Sequence, residues 1–309
     1  MSTLFKVLNR LSLWIRNQPV LAVASTFSVA IFLGVLITSL SKPKTPAKAV
    51  TNDSQSIVYQ AIHSPDDIVA LDSSFVRPVA YTQVVSLGGL EVNTKKQKFI
   101  DMLMPAILLS KQKIAAKHLR VLALSEQEES ISDKDKAWLE AQYQAYKAKD
   151  SNDLLSKLQS HPNSIVLAQA AIETGWGTSR FFLEANNIFG VWSFNPKEPR
   201  IAASESRDGT TIYVKKYGSL IEAVDDYFLV IARGTPYSRF REARLTSQDP
   251  IALVGYLDKY SEIGDEYVKR LRTVIRYNNM QRYDDYQLGS LQQQAHQLSD
   301  RTQEALAHR

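Results

Sequence analysis

Apolar positions recur at helical spacing through most of residues 93–278. Three stretches break that rhythm. One is an uncharged apolar run near the N-terminus, one is a period-two segment on either side of Asp208-Gly209, and one is a polar, glutamine-rich tail. The N-terminal run carries no charge from Asn17 to Ser41, and Val20 to Leu40 reads VLAVASTFSVAIFLGVLITSL. That matches the ~20 residues a helix needs to span a bilayer. Lys6, Arg10 and Arg16 precede it, and Lys42, Lys44 and Lys48 follow. We read residues 20–40 as an uncleaved transmembrane helix, with 1–19 on the cytoplasmic side and the body across the membrane. Two alternatives stand beside it. One is a signal peptide cleaved at Ala47-Lys48-Ala49, although its apolar core would exceed the usual length of about 7–15 residues. The other is a buried helix of a soluble domain.

Residues 41–92 read as a linker or extended arm. Pro43, Pro46 and Pro65 lie among small polar residues, which suggests a tether up to about Ser74. Phe75 to Leu90, with Val84-Val85 ahead of Gly88-Gly89, is either an extended arm packed on the domain or more linker. A helical lead-in follows over 93–152. Thr94 is the expected cap of a helix through Phe99, Ile100, Leu103, Met104, Ile107 and Leu108, which Pro105 should kink or restart. Ser132 or Asp133 caps the next helix, and Asp153 opens a short one. From Asn163 or Ser164 a helix begins that is apolar nearly all round, with Ile165, Val166, Ala168, Ala170 and Ile172. Such a helix is central and buried, and Gly175 is its natural stop.

After Pro199 the period changes to two. Arg200–Ser206 and Thr210–Lys216 flank Asp208-Gly209, a β-hairpin signal. A two-residue turn there sets Glu205 opposite Ile212. Ser219 and Glu222 form a capping box for a helix with a stripe of Leu220, Ala223, Val224, Tyr227 and Ile231. Tyr237 and Phe240 in the basic-aromatic segment 235–244 are either core or ligand-facing. Asp249-Pro250 starts a helix expected to end near Lys259-Tyr260, and Asp265 opens another through Tyr267, Val268, Leu271 and Ile275. Residues 284–309 read as a polar tail. The fold class is mostly α, in the α+β sense: a helical domain with one small β-hairpin lobe.

Composition narrows the chemistry. Hydrophobic residues make up 44% and charged residues 22%, as in ordinary globular proteins. The net charge of +5 suits an anionic partner, but no run of Lys and Arg interleaved with aromatics marks a nucleic-acid surface. Cysteine is absent. The five histidines show no metal-ligand spacing, and no Gly-rich phosphate loop occurs. The expectation is therefore no metal, no cofactor and no nucleic acid.

Glu173 is the residue that asks for explanation. It sits in the last turn of the all-apolar helix, where the helix dipole favours cations, not carboxylates. Burying a carboxylate there is costly. One account is an ion pair with Arg180. The other is a carboxyl kept protonated by apolar surroundings to act as a general acid, as glycosidic cleavage requires. Trp176, Phe189, Trp192 and Tyr217, with Asn186 and Asn187, follow it within a short span. Singly, each is ordinary core. Together they supply the flat faces and amide groups that bind sugars.

These residues carry a resemblance. AQAAIETGWGTS, then NNIFG, then YGS with a downstream DY, resembles glycoside hydrolase family 73, the peptidoglycan N-acetylglucosaminidases. The layout of membrane segment, helical lead-in and this domain also resembles the bacterial Bax proteins. The likeness covers about residues 153–283. It implies a lysozyme-like helical fold with a small β-lobe and cleavage of the β-1,4 bond after N-acetylglucosamine. It implies that Glu173 is the general acid. It sets Glu205 where relatives carry a second acidic residue, either a base toward water or unneeded if the substrate's 2-acetamido group assists. Tyr260, in LDKYSEIGDEY, matches the family's late catalytic tyrosine, with Tyr267 as the competing alignment. Trp176, Asn187, Phe189, Trp192, Tyr217, Tyr237 and Tyr267 are the implied substrate-binding residues. Ser261-Glu262-Ile263-Gly264 and Val191-Trp192 depart from the family's usual residues. The partners implied are peptidoglycan strands and the inner membrane, with a monomeric catalytic domain in the periplasm. Two other readings remain: a non-catalytic wall-binding module, and a muramidase or lytic transglycosylase acting on the neighbouring bond.

Overall fold

The structure is a computed structural model, and it describes residues 57–126, 131–207 and 210–289. Glu91 opens the first helix, α1 (Val92–Ser125), by accepting hydrogen bonds from the backbone of Asn93 at 2.8 Å and Thr94 at 3.1 Å. The expected cap, Thr94, lies instead inside the first turn. α1 runs unbroken through Pro105, so the expected restart does not occur. A mid-helix proline costs roughly 3 kcal/mol. Here every residue from Phe99 to Ser110 is buried, and each large apolar side chain so buried returns about 1.5–3 kcal/mol.

Next come α2 (Asp133–Tyr146), capped by Ser132 as expected, and α3 (Ser151–Lys157). Asp150, not Asp153, caps α3. Asp153 lies in its first turn and pairs with Lys157 at 2.9 Å. The central helix is α4 (Asn163–Thr174), in which Ile165, Val166, Leu167, Ala168 and Ala170 are wholly inaccessible. It packs against α1, against α9 (Asp265–Tyr277) and against the 3-10 turn Met280–Tyr283. Its alanines permit that close approach from several sides. Pro162 precedes α4 and supplies no side-chain cap. The work falls to Asp284, whose carboxylate accepts from Ser164 N at 2.7 Å and Ser164 Oγ at 2.8 Å. Asn163 meanwhile donates to the Tyr283 carbonyl and accepts from Lys111 Nζ. Burial lowers the Lys111 amine to about 8, and the nearby Asp284 charge opposes that shift.

α5 (Arg180–Ala185) leads into the β-lobe, where β4 (Arg200–Arg207) and β5 (Thr210–Lys215) pair antiparallel. The register follows the two-residue turn at Ser206–Thr211 and Arg207–Thr210, then shifts between Ala202 and Ser206. α6 (Leu220–Arg233) starts on Ser219. The reciprocal bond of its capping box goes one residue further back, from Gly218 N to Glu222. α7 (Ser238–Arg244) and the short α8 (Pro250–Leu253) precede α9. The helix expected to reach Tyr260 passes into a 3-10 turn that ends at Tyr256.

Two expectations about the periphery are corrected. Residues 57–74 are not a tether, and 75–90 take the packed-arm alternative: β1 (Val58–Ala61) pairs parallel with β3 (Val79–Gln83), and Ile62, Ile68, Val79, Ala80, Tyr81 and Leu87 are all core residues. Residues 284–289 are not tail: β6 (Gln287–Leu288) pairs with β2 (Phe75–Val76). The apolar run 20–40 lies outside the described residues, as do 290–309. Among the described residues, no helix is long and apolar enough to cross a membrane.

Because Asp284 both caps α4 and faces the buried Lys111 amine, Asp284→Ala is expected to destabilise the fold by about 2 kcal/mol at neutral pH. Urea unfolding measures this, and an unchanged midpoint would contradict the capping role.

Candidate active site

The C-terminal end of α4 is closed by a Schellman-type turn. Gly175 takes φ 57° and bonds back to Ala171 and Ile172, and Trp176 N reaches the Ala171 carbonyl at 3.0 Å. Thr174 Oγ1 donates to the Ala170 carbonyl and accepts from Gly177 N. Gly177 sits at φ 82°, and a Cβ there would lie 3.2 Å from both Leu87 and Phe99. The Gly-Trp-Gly sequence is thus the condition for packing the end of α4 under the N-terminal arm.

That turn leaves Glu173 half-buried on the rim of a groove of about 830 Å³. Phe189, Trp192, Phe194, Tyr237 and Tyr260 are among the residues that line it with Glu173. Burial raises the Glu173 pKa, and a hydrogen bond donated by the Tyr267 hydroxyl to Oε1 at 2.9 Å opposes the rise. The alternative account, an ion pair with Arg180, is not met among the described residues. Arg180 Nη1 pairs with Glu184 at 3.2 Å and its Nη2 donates to the Ala202 carbonyl at 2.6 Å. Tyr267 stacks on Tyr260 at 5.4 Å between ring centres, and Tyr260 meets Tyr237 at 6.1 Å. Burial drives all three phenols upward, and the Glu173 carboxylate adds to the rise. They are neutral hydrogen-bonding groups at any working pH.

The facing wall is built by the loop after α5. Asn187 Nδ2 donates to the carbonyls of Val191 and Lys215, and its Oδ1 accepts from Val191 N at 3.0 Å. This folds the loop onto β5, where Trp192 makes an isolated antiparallel bridge to Val214. The period-two direction of that segment sets Trp192 and Phe194 side by side, ring centres 6.1 Å apart, with 43% and 84% of their surfaces exposed. Phe189 turns inward and stacks on Tyr227 at 4.2 Å.

The structure therefore brings Glu173, Tyr237, Tyr260, Phe189 and Trp192 to one groove, with Tyr267 directly behind the carboxyl. Among the described candidates, Trp176, Tyr217 and Asn187 are turned to other partners. Trp176, at φ 60°, packs edge-on against Phe99 with Lys96 Nζ 5.2 Å from its ring. The left-handed turn has aimed it at α1. Tyr217 is buried and donates to Asp226 at 2.8 Å, lining a separate cleft beside α6. Asn187 is spent on the loop and serves as its latch. The Glu205 backbone belongs to β4, and its side chain lies outside the described residues. Sequence reading missed Phe194, although its spacing of two from Trp192 in a strand-like segment signals a shared face.

The raised Glu173 pKa has a thermodynamic sign. The neutral carboxyl is favoured in the folded state, so its contribution is fully present below the unfolded value of about 4.3 and is lost as pH rises through the folded pKa. Glu173→Gln, uncharged and isosteric, is expected to raise Tm at pH 8 and to match the parent near pH 4. Equal Tm differences at both pH values would contradict a desolvated carboxyl.

Comparison with known proteins places residues 148–280 in a match to the family model described as glucosaminidase, mannosyl-glycoprotein endo-beta-N-acetylglucosaminidase. The chain is 29% identical over 150 residues to peptidoglycan hydrolase FlgJ of Salmonella typhimurium, covering 41% of this chain and 46% of that protein. It is 27% identical over 198 residues to protein bax of Escherichia coli, covering 60% of this chain and 70% of the relative. Against exo-glucosaminidase LytG of Bacillus subtilis it is 31% identical over 126 residues, covering 34% and 43%. The chain thus spans less than half the length of FlgJ and LytG. Among solved structures, the catalytic domain of the autolysin Auto from Listeria monocytogenes is similar with 23% identity and a TM-score of 0.35, over 50% of this chain and 90% of that one.

Proposed function

We propose that this protein, whose residues 148–280 match the glucosaminidase family model, is a peptidoglycan hydrolase that cleaves the β-1,4 bond after N-acetylglucosamine, with Glu173 as general acid. The observation that carries the reading is the Glu173 carboxyl, raised in pKa by burial and open to a groove with exposed aromatic faces. FlgJ carries the name peptidoglycan hydrolase and LytG the name exo-glucosaminidase, which supports this substrate class.

In this reading the chain adopts the lysozyme-like arrangement, and a glycan lies along the groove with sugar rings on Trp192 and Phe194. The protonated Glu173 gives its proton to the glycosidic oxygen as the bond breaks, which relieves the leaving group of developing negative charge. The oxocarbenium centre is then met from the opposite face. Glu205 as a base toward water gives inversion, and needs a carboxyl separation of about 6.5–9.5 Å. Assistance by the 2-acetamido group removes that need, and the Tyr260 hydroxyl on the groove wall is the group we assign to steady the acetamide. Tyr237, Phe189 and Tyr267 shape the floor and hold the acid. The apolar segment 20–40, flanked by Lys and Arg, is proposed to anchor the protein in the inner membrane, with the monomeric domain in the periplasm against the wall.

Digestion of purified sacculi by the full-length protein in detergent tests this, with products read by mass spectrometry. Reducing-end N-acetylglucosamine is expected. Reducing-end muramic acid would mean a muramidase, anhydro-muramic ends a transglycosylase, and no release a binding module. Glu173→Gln is expected to lower release at least 100-fold, the lower range for loss of a general acid, with the far-UV circular dichroism retained. Trp192→Ala is expected to raise KM about tenfold with kcat little changed, as for lost uniform binding. A selective fall in kcat would contradict a platform role.

A further inference from the structure

Behind Glu173 a line of buried polar groups runs through the core. Tyr267 Oη donates to Glu173 Oε1 at 2.9 Å, and Gln169 Nε2 donates to Tyr267 Oη at 3.4 Å. Tyr227 Oη donates to Gln169 Oε1 at 2.6 Å, and Tyr227 Oη lies 2.8 Å from His161 Nε2. Gln169 and His161 are fully buried, and both tyrosines nearly so. Gln169 and Glu173 are one turn apart on α4, so they share a face.

We infer that His161, Tyr227 and Gln169 are positioning residues, a one-way hydrogen-bond relay that holds the Tyr267 proton on Glu173 Oε1 and so confines the catalytic proton to Oε2. The direction follows from donor counts. Tyr227 has one proton and gives it to Gln169, so at His161 it must accept, which requires His161 to carry its proton on Nε2. His161 Nδ1 is buried with no hydrogen-bond partner among the described residues. A proton on that nitrogen would be a stranded donor, which is worse than a bare lone pair. Burial, with the nearby Arg244 and Lys111 charges, keeps the imidazole neutral. The Gln169 oxygen is thereby turned to Tyr227 and its NH₂ to Tyr267. Since an NH₂ only donates, Tyr267 has one place left for its own proton, which is Glu173.

The inference rests on the reading of Glu173 as general acid. It adds that the site distinguishes the two carboxyl oxygens, leaving the unbonded one as the proton carrier. The other ionisable groups around Glu173 are Tyr237 and Tyr260 beside it, with Arg233 of α6 and Glu198 and Lys215 of the lobe on the same groove. None of these takes part in the relay.

The test is carbon-13 NMR titration of the Glu173 carboxyl in glutamate-labelled full-length protein, assigned by its loss in Glu173→Gln. Gln169→Leu and Tyr227→Phe are both expected to raise the Glu173 midpoint, because a less polarised Tyr267 stabilises the carboxylate less. Tyr227→Phe deletes a single oxygen and keeps the ring packing, so it serves if Gln169→Leu fails to fold. On sacculi, each is expected to lower kcat about tenfold and to move the alkaline limb of the kcat profile upward. In a Tyr267→Phe background the same changes are expected to do nothing further, since the relay acts only through that hydroxyl. An unmoved Glu173 midpoint, or full additivity with Tyr267→Phe, would overturn the relay. If the midpoint moves and wild type releases no fragments, the hydrolase reading fails while the relay stands.

Discussion

Desolvation of one carboxyl at the end of the central helix is the constraint around which this structure is arranged. α4 is wrapped by α1, α9 and the turn at Met280–Tyr283, so anything in its last turn is withdrawn from water unless a channel reaches it. The groove reaches Glu173 from the side of Tyr237 and Tyr260. The other side offers the Tyr267 hydroxyl, a neutral donor, where an Arg or Lys would hold the carboxyl ionised. A cation at that distance would lower the pKa and remove the proton that the proposed role of Glu173 needs. Choosing a phenol leaves burial as the larger effect.

The remaining elements keep that balance in place. The Gly175-Trp176-Gly177 turn ends α4 within one turn of Glu173 and is pinned under Leu87 and Phe99, so the arm at 57–91 is part of what positions the acid. Asn187, with three hydrogen bonds to its own loop and to β5, holds up the opposite wall, on which Trp192 and Phe194 lie. A single amide thereby decides where the aromatic faces stand relative to the carboxyl. Asp284 secures the far end of α4. The acid is thus held at both ends of its helix and approached from one face.

Much of this was legible in the chain because helical period and caps are local. The buried character of α4, its stop at Gly175, the Ser219 cap and the hairpin turn follow from neighbours in sequence. What failed was direction and distance. Trp176 is three residues from Glu173 in sequence yet points to α1, because a left-handed turn reverses the side-chain direction in a way that spacing does not report. Tyr217 satisfies a local carboxylate, and only packing reveals it. The arm at 57–91 lacks alternation because β3 buries Val79, Ala80 and Tyr81 in succession while β1 leaves both Val58 and Tyr59 exposed. Tyr267, 94 residues from Glu173, had no local signal linking the two, although the resemblance had raised it as a candidate. Pro105 misled in the opposite sense, since burial along α1 outweighs one lost hydrogen bond.

In the proposed reaction a glycan enters this groove with the bond to be cleaved at Glu173. A crystal structure of the full-length Glu173→Gln protein with a β-1,4-linked N-acetylglucosamine oligomer addresses it most directly. The expected result is a glycosidic oxygen about 3 Å from the residue 173 amide, with sugar rings against Trp192 and Phe194. An oligomer seated in the separate cleft beside α6, with the groove empty, would contradict it.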